Sequence, residues 1–412
     1  MAVYYYFLLF TLCYSTELFE EYYKEAEEKM NKMSMKERIG QLFFPRFNLT
    51  NSTDDIKNKK PGGFMLFAND FVEFDEKYIQ DYIKKIQNLS EEVIGLPLGL
   101  AVNEEGGEVN TVSLEHRKEG PFPSPREIYN KSGIKGILEI EQEKRELLRK
   151  FNLNINLAPV ADFSYNPKDY IYNRTIGRLP EEAAENISIE VEGYDIDSFS
   201  CCLKYFPSYG NNSDTHSEIS IDNRTYENFQ REDFKIFQAA IDKKAPIVLV
   251  SHNIVTCKDE NYPASISKNW HDVLRNELNF SGLIMTDDLS MKQIKQYAYN
   301  ENEAILAIQA GNDIILTSDY YTHFDAVIKA YNESKIDKNL IDTACKRILA
   351  WKLKYLYNHD KDNTVLIIIA SVLGVIILGG LIAFLVMWLK NRSKSDPKTE
   401  ELNSGRLDKH TI

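Results

Sequence analysis

The stretch Gly62–Val102, GGFMLFANDFVEFDEKYIQDYIKKIQNLSEEVIGLPLGLAV, contains a complete strand-helix-strand unit. Its ends, GGFMLFA from Gly62 and LGLAV from Leu98, are short apolar runs of the kind that form buried strands. Between them, EKYIQDYIKKIQNL from Glu76 repeats apolar residues at steps of three and four, which is typical of an amphipathic helix. Two strands joined by a helix favour parallel pairing, so the stretch predicts one unit of an α/β fold.

The same alternation continues along the chain. Six more apolar runs are QLFFPRF from Gln41, INLAPV from Ile155, CCLKYF from Cys201, PIVLVS from Pro246, GLIMT from Gly282 and DIILT from Asp313. Eight strands that alternate with helices predict an α/β protein built as a (β/α)8 TIM barrel. A doubly wound open sheet is the alternative, but no GxGxxG follows an early strand to support it.

The overall composition is that of a globular protein. Of 412 residues, 43% are hydrophobic and 27% charged, and the formal net charge is −13. Nucleic-acid binding requires clustered Lys and Arg to neutralise phosphates, and this chain has no such cluster before its far C-terminus. A nucleic-acid partner is therefore not expected.

Both ends of the chain carry apolar segments that indicate export and membrane anchoring. MAVYYYFLLFTL is followed by Cys13 and Ser15, small residues at the −3 and −1 positions of a cleavage site, so 1–15 is predicted as a signal peptide. The segment 364–389 has no charged residue and is predicted to be a single C-terminal transmembrane helix, because it is long enough to cross a bilayer. Lys390, Arg392 and Lys394 follow it, as expected on the cytoplasmic side.

These signals divide the chain into a set of predicted segments. Between signal peptide and membrane helix lie a helical segment at 16–33, the barrel at 34–358 and a linker at 359–363; the tail at 390–412 would be cytoplasmic. The prediction is a single-pass type I membrane protein with its barrel outside the cell or in a lumen. Export would permit glycosylation at nine Asn-X-Ser/Thr sequons, which begin at Asn48, Asn51, Asn88, Asn173, Asn186, Asn211, Asn223, Asn279 and Asn332.

Four cysteines remain after the predicted signal peptide: Cys201, Cys202, Cys257 and Cys345. They form no CxxC or metal-ligand spacing, so structural thiols or one disulfide bridge are both open. The expected chemistry does not come from a metal site.

Polar side chains follow several of the predicted strands. In a barrel of this kind the chemistry lies at the C-terminal ends of the strands, so these side chains are candidates for a functional site. They are Asn103, Glu104, Glu105, Asp162, Lys204, His252, Asp287 and Asp288.

The order of motifs resembles glycoside hydrolase family 3, in particular its single-barrel β-N-acetylglucosaminidase branch. ERIGQLFFPRF, PGGFMLFAND and PLGLAVNEEGGEVN resemble the first three strands of that family, and FNLNINLAPVADF resembles the fourth. NRTIG is similar to an arginine-bearing loop, GLIMTDDLSM to the nucleophile segment and RILAWKLKYL to the closing helix. The resemblance covers roughly Ser34 to Tyr357.

The resemblance implies a retaining β-glycosidase that acts on terminal β-linked N-acetylhexosamine or a related sugar. Asp287 matches the nucleophile, and Asp288 would be a neighbour held by local hydrogen bonds. His216 matches the acid/base and Asp214 the carboxylate that orients it, since an adjacent carboxylate fixes the tautomer of an imidazole that titrates near neutrality. No metal or organic cofactor is implied.

The residues that would bind the sugar are implied in the same way, and they depart from the family pattern. They are Asn103, Arg174, Lys204 and Tyr205, of which Asn103 replaces an aspartate and Tyr205 a histidine. Tyr205 and Tyr209 would either stack on a pyranose or fill the pocket. Two functions remain open: a membrane-anchored hydrolase, or a catalytically impaired barrel that acts as a surface sugar-binding or structural protein.

Overall fold

A computed structural model describes residues 17–177, 179–210 and 220–357, together with the single residues 380 and 387. The chain divides into two units, Met1–Tyr357 and Asn358–Ile412, and the fold below belongs to the first. The predicted signal peptide at 1–15, the predicted acid/base pair Asp214 and His216, and the tail at 390–412 lie outside the described residues.

Short strands form where the sequence has its apolar runs. The strands are β1 (Phe43–Pro45), β2 (Gly63–Met65), β3 (Gly99–Val102), β4 (Ile155–Asn156), β5 (Ser200–Phe206), β6 (Ile221–Asp222), β7 (Ile247–Val250), β8 (Ile254–Val255), β9 (Leu283–Thr286) and β10 (Ile315–Thr317). Each of the eight runs contains one strand. The remaining two, β6 and β8, are two-residue strands that pair with each other and were not predicted.

The strands pair in parallel throughout. Six form one sheet in the order β2-β3-β4-β5-β7-β9, and β1 pairs with β10. Two isolated parallel bridges, Arg46 to Met65 and Met285 to Ile314, connect the edges of the six-stranded sheet to that pair. The predicted parallel α/β sheet is confirmed, while its closure into a barrel depends on these two bridges.

Helices connect the strands and cover the sheet. They are α1 (Tyr23–Met30), α2 (Met35–Gln41), α3 (Ser52–Asn58), α4 (Asn69–Val72), α5 (Glu76–Ile94), α6 (Ser113–His116), α7 (Pro125–Lys150), α8 (Pro180–Ile196), α9 (Tyr226–Arg231), α10 (Asp233–Asp242), α11 (Lys268–Asp272), α12 (Lys292–Lys295), α13 (Glu303–Ala310), α14 (Tyr320–Asn332) and α15 (Lys338–Tyr355). Helix α7 is interrupted at Gly133, whose φ of 61° is not helical. Short 3-10 turns lie at Glu20–Tyr22, Tyr172–Arg174 and Ala264–Ile266, and a π-helical turn at Val273–Glu277.

Helix α5 shows how the opening stretch folds. The side chain of Asp75 accepts a hydrogen bond from the backbone N–H of Tyr78 at 3.0 Å and so caps the first turn. Gly95 ends the helix in the left-handed conformation, with φ 79°, which glycine adopts without strain. The apolar steps bury Ile79 and Ile83 against the sheet, which confirms the helix and its predicted face.

Both faces of the sheet are buried, which explains the continuous apolar runs. In β7, Ile247 and Leu249 belong to one hydrophobic cluster, while Val248 and Val250 belong to a second. Because successive side chains of a strand point to opposite faces, a sheet covered on both sides favours apolar residues at consecutive positions.

The predicted single-pass type I membrane topology is corrected by the structure. Among the residues described, no helix combines the length and the apolar character that crossing a bilayer requires. Apart from Gly380 and Met387, the predicted span at 364–389 lies outside the described residues. The type I topology therefore does not stand.

Two further predictions concern cysteines and sequons. Cys201, Cys202, Cys257 and Cys345 are all free thiols, which favours the structural reading over a bridge. Asn186 is only 4% exposed, within α8, so its sequon cannot carry a glycan in the folded protein. Glycosylation at the other sequons stays a prediction.

Candidate active site

A cavity of about 170 Å³ opens at the carboxyl ends of the parallel strands. Its lining includes Asn103 after β3, Lys204 and Tyr205 in β5, Asp287 and Asp288 after β9, and Thr317 at the end of β10. Four of the predicted site residues, Asn103, Lys204, Tyr205 and Asp287, are thus brought together although up to 184 positions separate them in the chain. This is the end of the sheet where ligands bind in folds of this class.

The two neighbouring aspartates of the cavity differ in how far their oxygens are occupied. Asp288 Oδ1 accepts hydrogen bonds from the backbone N–H groups of Ser290 (2.9 Å) and Ser318 (3.0 Å), and Oδ2 accepts one from Ser318 Oγ at 2.5 Å. Within the described residues, the Asp287 side chain accepts one hydrogen bond, from the Asp288 N–H at 2.9 Å. Asp287 is half-buried and keeps acceptor capacity toward the cavity.

Glu105 is the centre of a buried ionic network behind the cavity. Its carboxylate accepts two hydrogen bonds from Arg174, both at 2.8 Å, and one from Lys204 Nζ at 2.7 Å. Lys204 Nζ also donates to Asn103 Oδ1 at 2.6 Å, and Arg174 Nη2 donates to Tyr205 Oη at 2.7 Å. The Glu105 carboxylate therefore orients Arg174 and Lys204 directly. Through them it also orients Tyr205 and Asn103, the other two predicted sugar-binding residues.

The charges of this network shift the pKa values of Glu105 and Arg174. Burial alone would raise the pKa of Glu105, but the positive charges of Arg174 and Lys204 lower it to about 2. Burial would likewise lower the pKa of Arg174, yet the Glu105 carboxylate holds it well above its usual value. The ion pair between Glu105 and Arg174 therefore keeps its charges across the ordinary pH range.

Arg174 lies beside this cavity and is not among its lining residues. Its guanidinium carbon is about 5.2 Å from the centre of the ring of Tyr205, which does line the cavity. The Arg174 guanidinium thus reaches the cavity through the phenol of Tyr205. In the sequence Glu105 is one of several polar residues that follow a strand, and no local pattern connects it to Arg174 and Lys204, the two buried cations that require a buried carboxylate.

Tyr205 and Tyr209 are in contact but differ in their access to the cavity. Tyr209 is 2% exposed and packs against Tyr170 and Tyr205, each at a ring-centroid distance of 5.3 Å. It is part of the hydrophobic core rather than a face that a sugar could reach. Tyr205 is also buried, at 6% exposure, but borders the cavity.

Asp162, another acidic residue that follows a strand, holds a loop beside the cavity. Asp162 Oδ2 accepts hydrogen bonds from the N–H groups of Tyr209 (2.7 Å) and Gly210 (2.9 Å) and from Ser208 Oγ (3.1 Å). It thereby fixes the last described residues before 211–219, the segment that contains Asp214 and His216. Burial raises the pKa of Asp162.

Glu104 has a similar local role on the other side of the cavity. Its Oε2 accepts hydrogen bonds from the N–H groups of Thr111 (3.1 Å), Val112 (2.7 Å) and Ser113 (3.3 Å). The carboxylate closes the loop between β3 and α6, and it faces away from the cavity lining. Within the described part of the chain, no three His, Cys, Asp or Glu side chains are grouped as a metal site would require.

Comparison with known families gives the site its context. Residues 34–351 match the family described as glycosyl hydrolase family 3 N terminal domain. The chain belongs to this family. The family 3 match spans the strands and helices from α2 to α15 described above, and the resemblance seen in the motifs is confirmed.

Individual relatives agree with the family assignment. The chain is 29% identical over 271 residues to a β-hexosaminidase of Nitrosomonas eutropha, which covers 64% of this chain and 76% of the relative. It is 26% identical over 267 residues to β-hexosaminidase LpqI of Mycobacterium tuberculosis, covering 62% and 68%. The prediction of a glycosyl hydrolase similar to the β-N-acetylhexosaminidases is confirmed at this level.

Solved structures show the same fold. A family 3 β-N-acetylglucosaminidase from Paenibacillus sp. str. FPU-7 matches with a TM-score of 0.71 and 25% identity over 78% of this chain. The chain spans 63% of the length of that structure. M. tuberculosis LpqI matches with a TM-score of 0.70 and 22% identity, covering 79% of this chain and 96% of that one.

Proposed function

We propose that this protein hydrolyses terminal β-linked N-acetylhexosamine with retention of configuration, and that Asp287 is its nucleophile. The proposed scaffold is an eight-stranded barrel, in which the Arg46–Met65 and Met285–Ile314 bridges complete the ring of strands. Asp287 would attack the anomeric carbon and form a covalent glycosyl-enzyme intermediate, which water then hydrolyses.

The observation that carries the proposal is the difference between the two cavity aspartates. Among the described residues, the side chain of Asp288 accepts three hydrogen bonds and is occupied in holding the loops, whereas that of Asp287 accepts one. A nucleophile needs an unoccupied lone pair directed at the reacting carbon. Asp287 would meet this condition, since it follows β9 and borders a cavity that opens at the carboxyl edge of the sheet.

The sugar hydroxyls would be bound by the side chains that Glu105 orients. Lys204 Nζ has three N–H donors, of which Asn103 and Glu105 take two, so one remains for a sugar hydroxyl. Tyr205 would offer its ring edge and phenol from the cavity wall. Arg174 would act indirectly, because it holds the Tyr205 phenol rather than the sugar.

The acid/base of the proposed reaction is His216, oriented by Asp214. Both residues lie outside the described residues, and their assignment comes from the family pattern. Asp162 supports it, since this buried carboxylate anchors Tyr209 and Gly210 directly before the segment that carries both residues. A retaining glycosidase needs such an acid to protonate the leaving oxygen and then to activate water.

Covalent trapping of the full-length protein tests the proposal. A fluorinated N-acetylglucosaminyl fluoride, in which the ring fluorine slows breakdown of the intermediate, should label one peptide, and mass analysis should place the sugar on Asp287. Turnover should be seen with a chromogenic β-N-acetylglucosaminide, and nuclear magnetic resonance should detect the β-anomer of the sugar as the first product. Sugar binding without labelling or turnover would instead favour the alternative of a catalytically impaired sugar-binding barrel.

A further inference from the structure

A chain of hydrogen bonds runs from a buried carboxylate to the edge of the cavity. Oε2 of Glu303, at the start of α13, lies 3.4 Å from His323 Nε2. On the other side of the ring, His323 Nδ1 lies 2.7 Å from Thr317 Oγ1. Thr317 Oγ1 is in turn 3.1 Å from Ser290 Oγ. Thr317, which lines the cavity, is 2% exposed and His323 is 1% exposed, so neither group has water as an alternative partner.

One assignment of donors and acceptors gives a partner to every group in this series of hydrogen bonds. In it, His323 Nε2 donates toward the Glu303 carboxylate, which can only accept, and His323 Nδ1 accepts from the Thr317 hydroxyl. Thr317 Oγ1 then accepts from the N–H of Asp319 at 2.9 Å and from the Ser290 hydroxyl. All donors and acceptors of the two hydroxyl groups have partners in this arrangement.

Ser290, at the far end of this series of hydrogen bonds, holds together the loops that follow β9 and β10. Ser290 Oγ accepts hydrogen bonds from the backbone N–H groups of Ser318 and Asp319, both at 2.8 Å. The same Ser318 N–H also donates to Asp288 Oδ1, and Asp288 donates its own N–H to Asp287. A displacement at Thr317 would therefore reach the carboxylate of Asp287 through four hydrogen bonds, by way of Ser290, Ser318 and Asp288.

We propose that Glu303 and His323 are positioning residues for glycosyl transfer, which act through Thr317 and Ser290 to hold Asp287 at the angle required for attack. The inference rests on the proposed function, because it assigns Asp287 the role of nucleophile. The geometry of attack is sensitive to small shifts, and a misplacement of about 1 Å lowers a rate by about 10²-fold.

The first test compares two variants of Thr317 in the full-length protein. Thr317→Val keeps the shape but removes the hydroxyl, and Thr317→Ser keeps the hydroxyl. The rate constant for labelling by the fluorinated N-acetylglucosaminyl fluoride should fall at least about tenfold in Thr317→Val and stay within about threefold of wild type in Thr317→Ser. The rate is measured per labelled site, so that a smaller folded fraction does not count as a slower reaction.

The second test asks whether His323 and Thr317 act as one unit. His323→Leu should lower the labelling rate as much as Thr317→Val, and the double variant should be no slower than either, because both break the same chain. Glu303→Gln keeps an acceptor oxygen for His323 and should remain faster than Glu303→Ala. His271 is a matched control: it is 2% exposed, bonds to the Ser267 carbonyl and lies outside the cavity lining, so His271→Leu should lower the melting temperature without changing the rate per site.

The outcomes separate the two proposals. If wild type is labelled on Asp287 and Thr317→Val is labelled equally fast, or if losses in the double variant multiply, the positioning role is refuted and the proposed function stands. If wild type is not labelled at all, both proposals are refuted. Should His323→Leu fail to fold, the comparison of Thr317→Val with Thr317→Ser still decides the question.

Discussion

Replacing Glu105 by glutamine should destabilise the protein strongly, because the side chain keeps its shape but loses its charge. Arg174 and Lys204, both buried, would then face each other with no carboxylate between them. Removing one partner of a buried ion pair costs about 3–5 kcal/mol. The pKa gives a similar figure: a decrease from 4.5 to about 2 corresponds to roughly 3 kcal/mol at about 1.36 kcal/mol per unit.

The expected change in melting temperature follows from the size of the domain. An unfolding entropy of about 2.1 cal/mol/K per residue gives roughly 0.7 kcal/mol/K over the family match at residues 34–351. A loss of about 3–5 kcal/mol therefore lowers the melting temperature by about 4–7 °C. The measurement is thermal unfolding at neutral pH, followed by circular dichroism or calorimetry.

A nearby glutamate provides the control. Glu108 is exposed, so Glu108→Gln removes the same charge from the same loop without breaking a buried pair. The double variant Glu105→Gln/Arg174→Met should recover part of the loss, since it also removes one of the unpaired cations. If Glu105→Gln melts within about 1 °C of Glu108→Gln, the buried cations do not depend on the carboxylate and the reasoning is refuted.

Three other outcomes can be checked directly. Asp287→Asn should abolish nearly all turnover, while Asp288→Asn keeps more; the reverse order would exchange their roles. His216→Ala should lower kcat by about 10²–10⁴-fold on substrates with poor leaving groups and much less on activated aryl glycosides, whereas equal losses on both would contradict an acid/base role. The stability contributed by Glu105 should be fully present above pH 4.5 and lost as the pH falls toward about 2, because its folded pKa is the lower one; denaturant midpoints of wild type and Glu105→Gln should therefore converge in acid.

The sequence predicted the sheet well because the strands of the six-stranded sheet are covered on both faces. In such a sheet most strand residues are apolar, so β7 appears as the uninterrupted run PIVLVS and is easily recognised. Strands β6 and β8 have two residues each, and Ile221 in β6 is exposed. A segment that short has no periodicity, and its pairing depends on the loops that bring it into register.

The sequence predicted site residues at or near the ends of strands. Asn103 and Asp287 directly follow β3 and β9 and Lys204 lies within β5, and all three border the cavity because the carboxyl ends of parallel strands meet at one edge. The role of Glu105 could not be predicted, since its partners lie 69 and 99 positions along the chain and no local pattern connects them. The burial of Tyr209 likewise could not be predicted, because the sequence does not distinguish a tyrosine that stacks on a sugar from one that packs in the core.

The pairing of β1 with β10 has a consequence for how the protein is made. About 270 residues separate Phe43 from its partner Ile315, and at roughly 5–20 residues per second a ribosome needs about 14–54 s to synthesise them. Throughout that time one edge of the nascent β1 strand has no partner. An unpaired, apolar strand edge is a site where chains associate wrongly, so a chain that is interrupted before Ile315 should aggregate, and this edge is where a chaperone would be needed most.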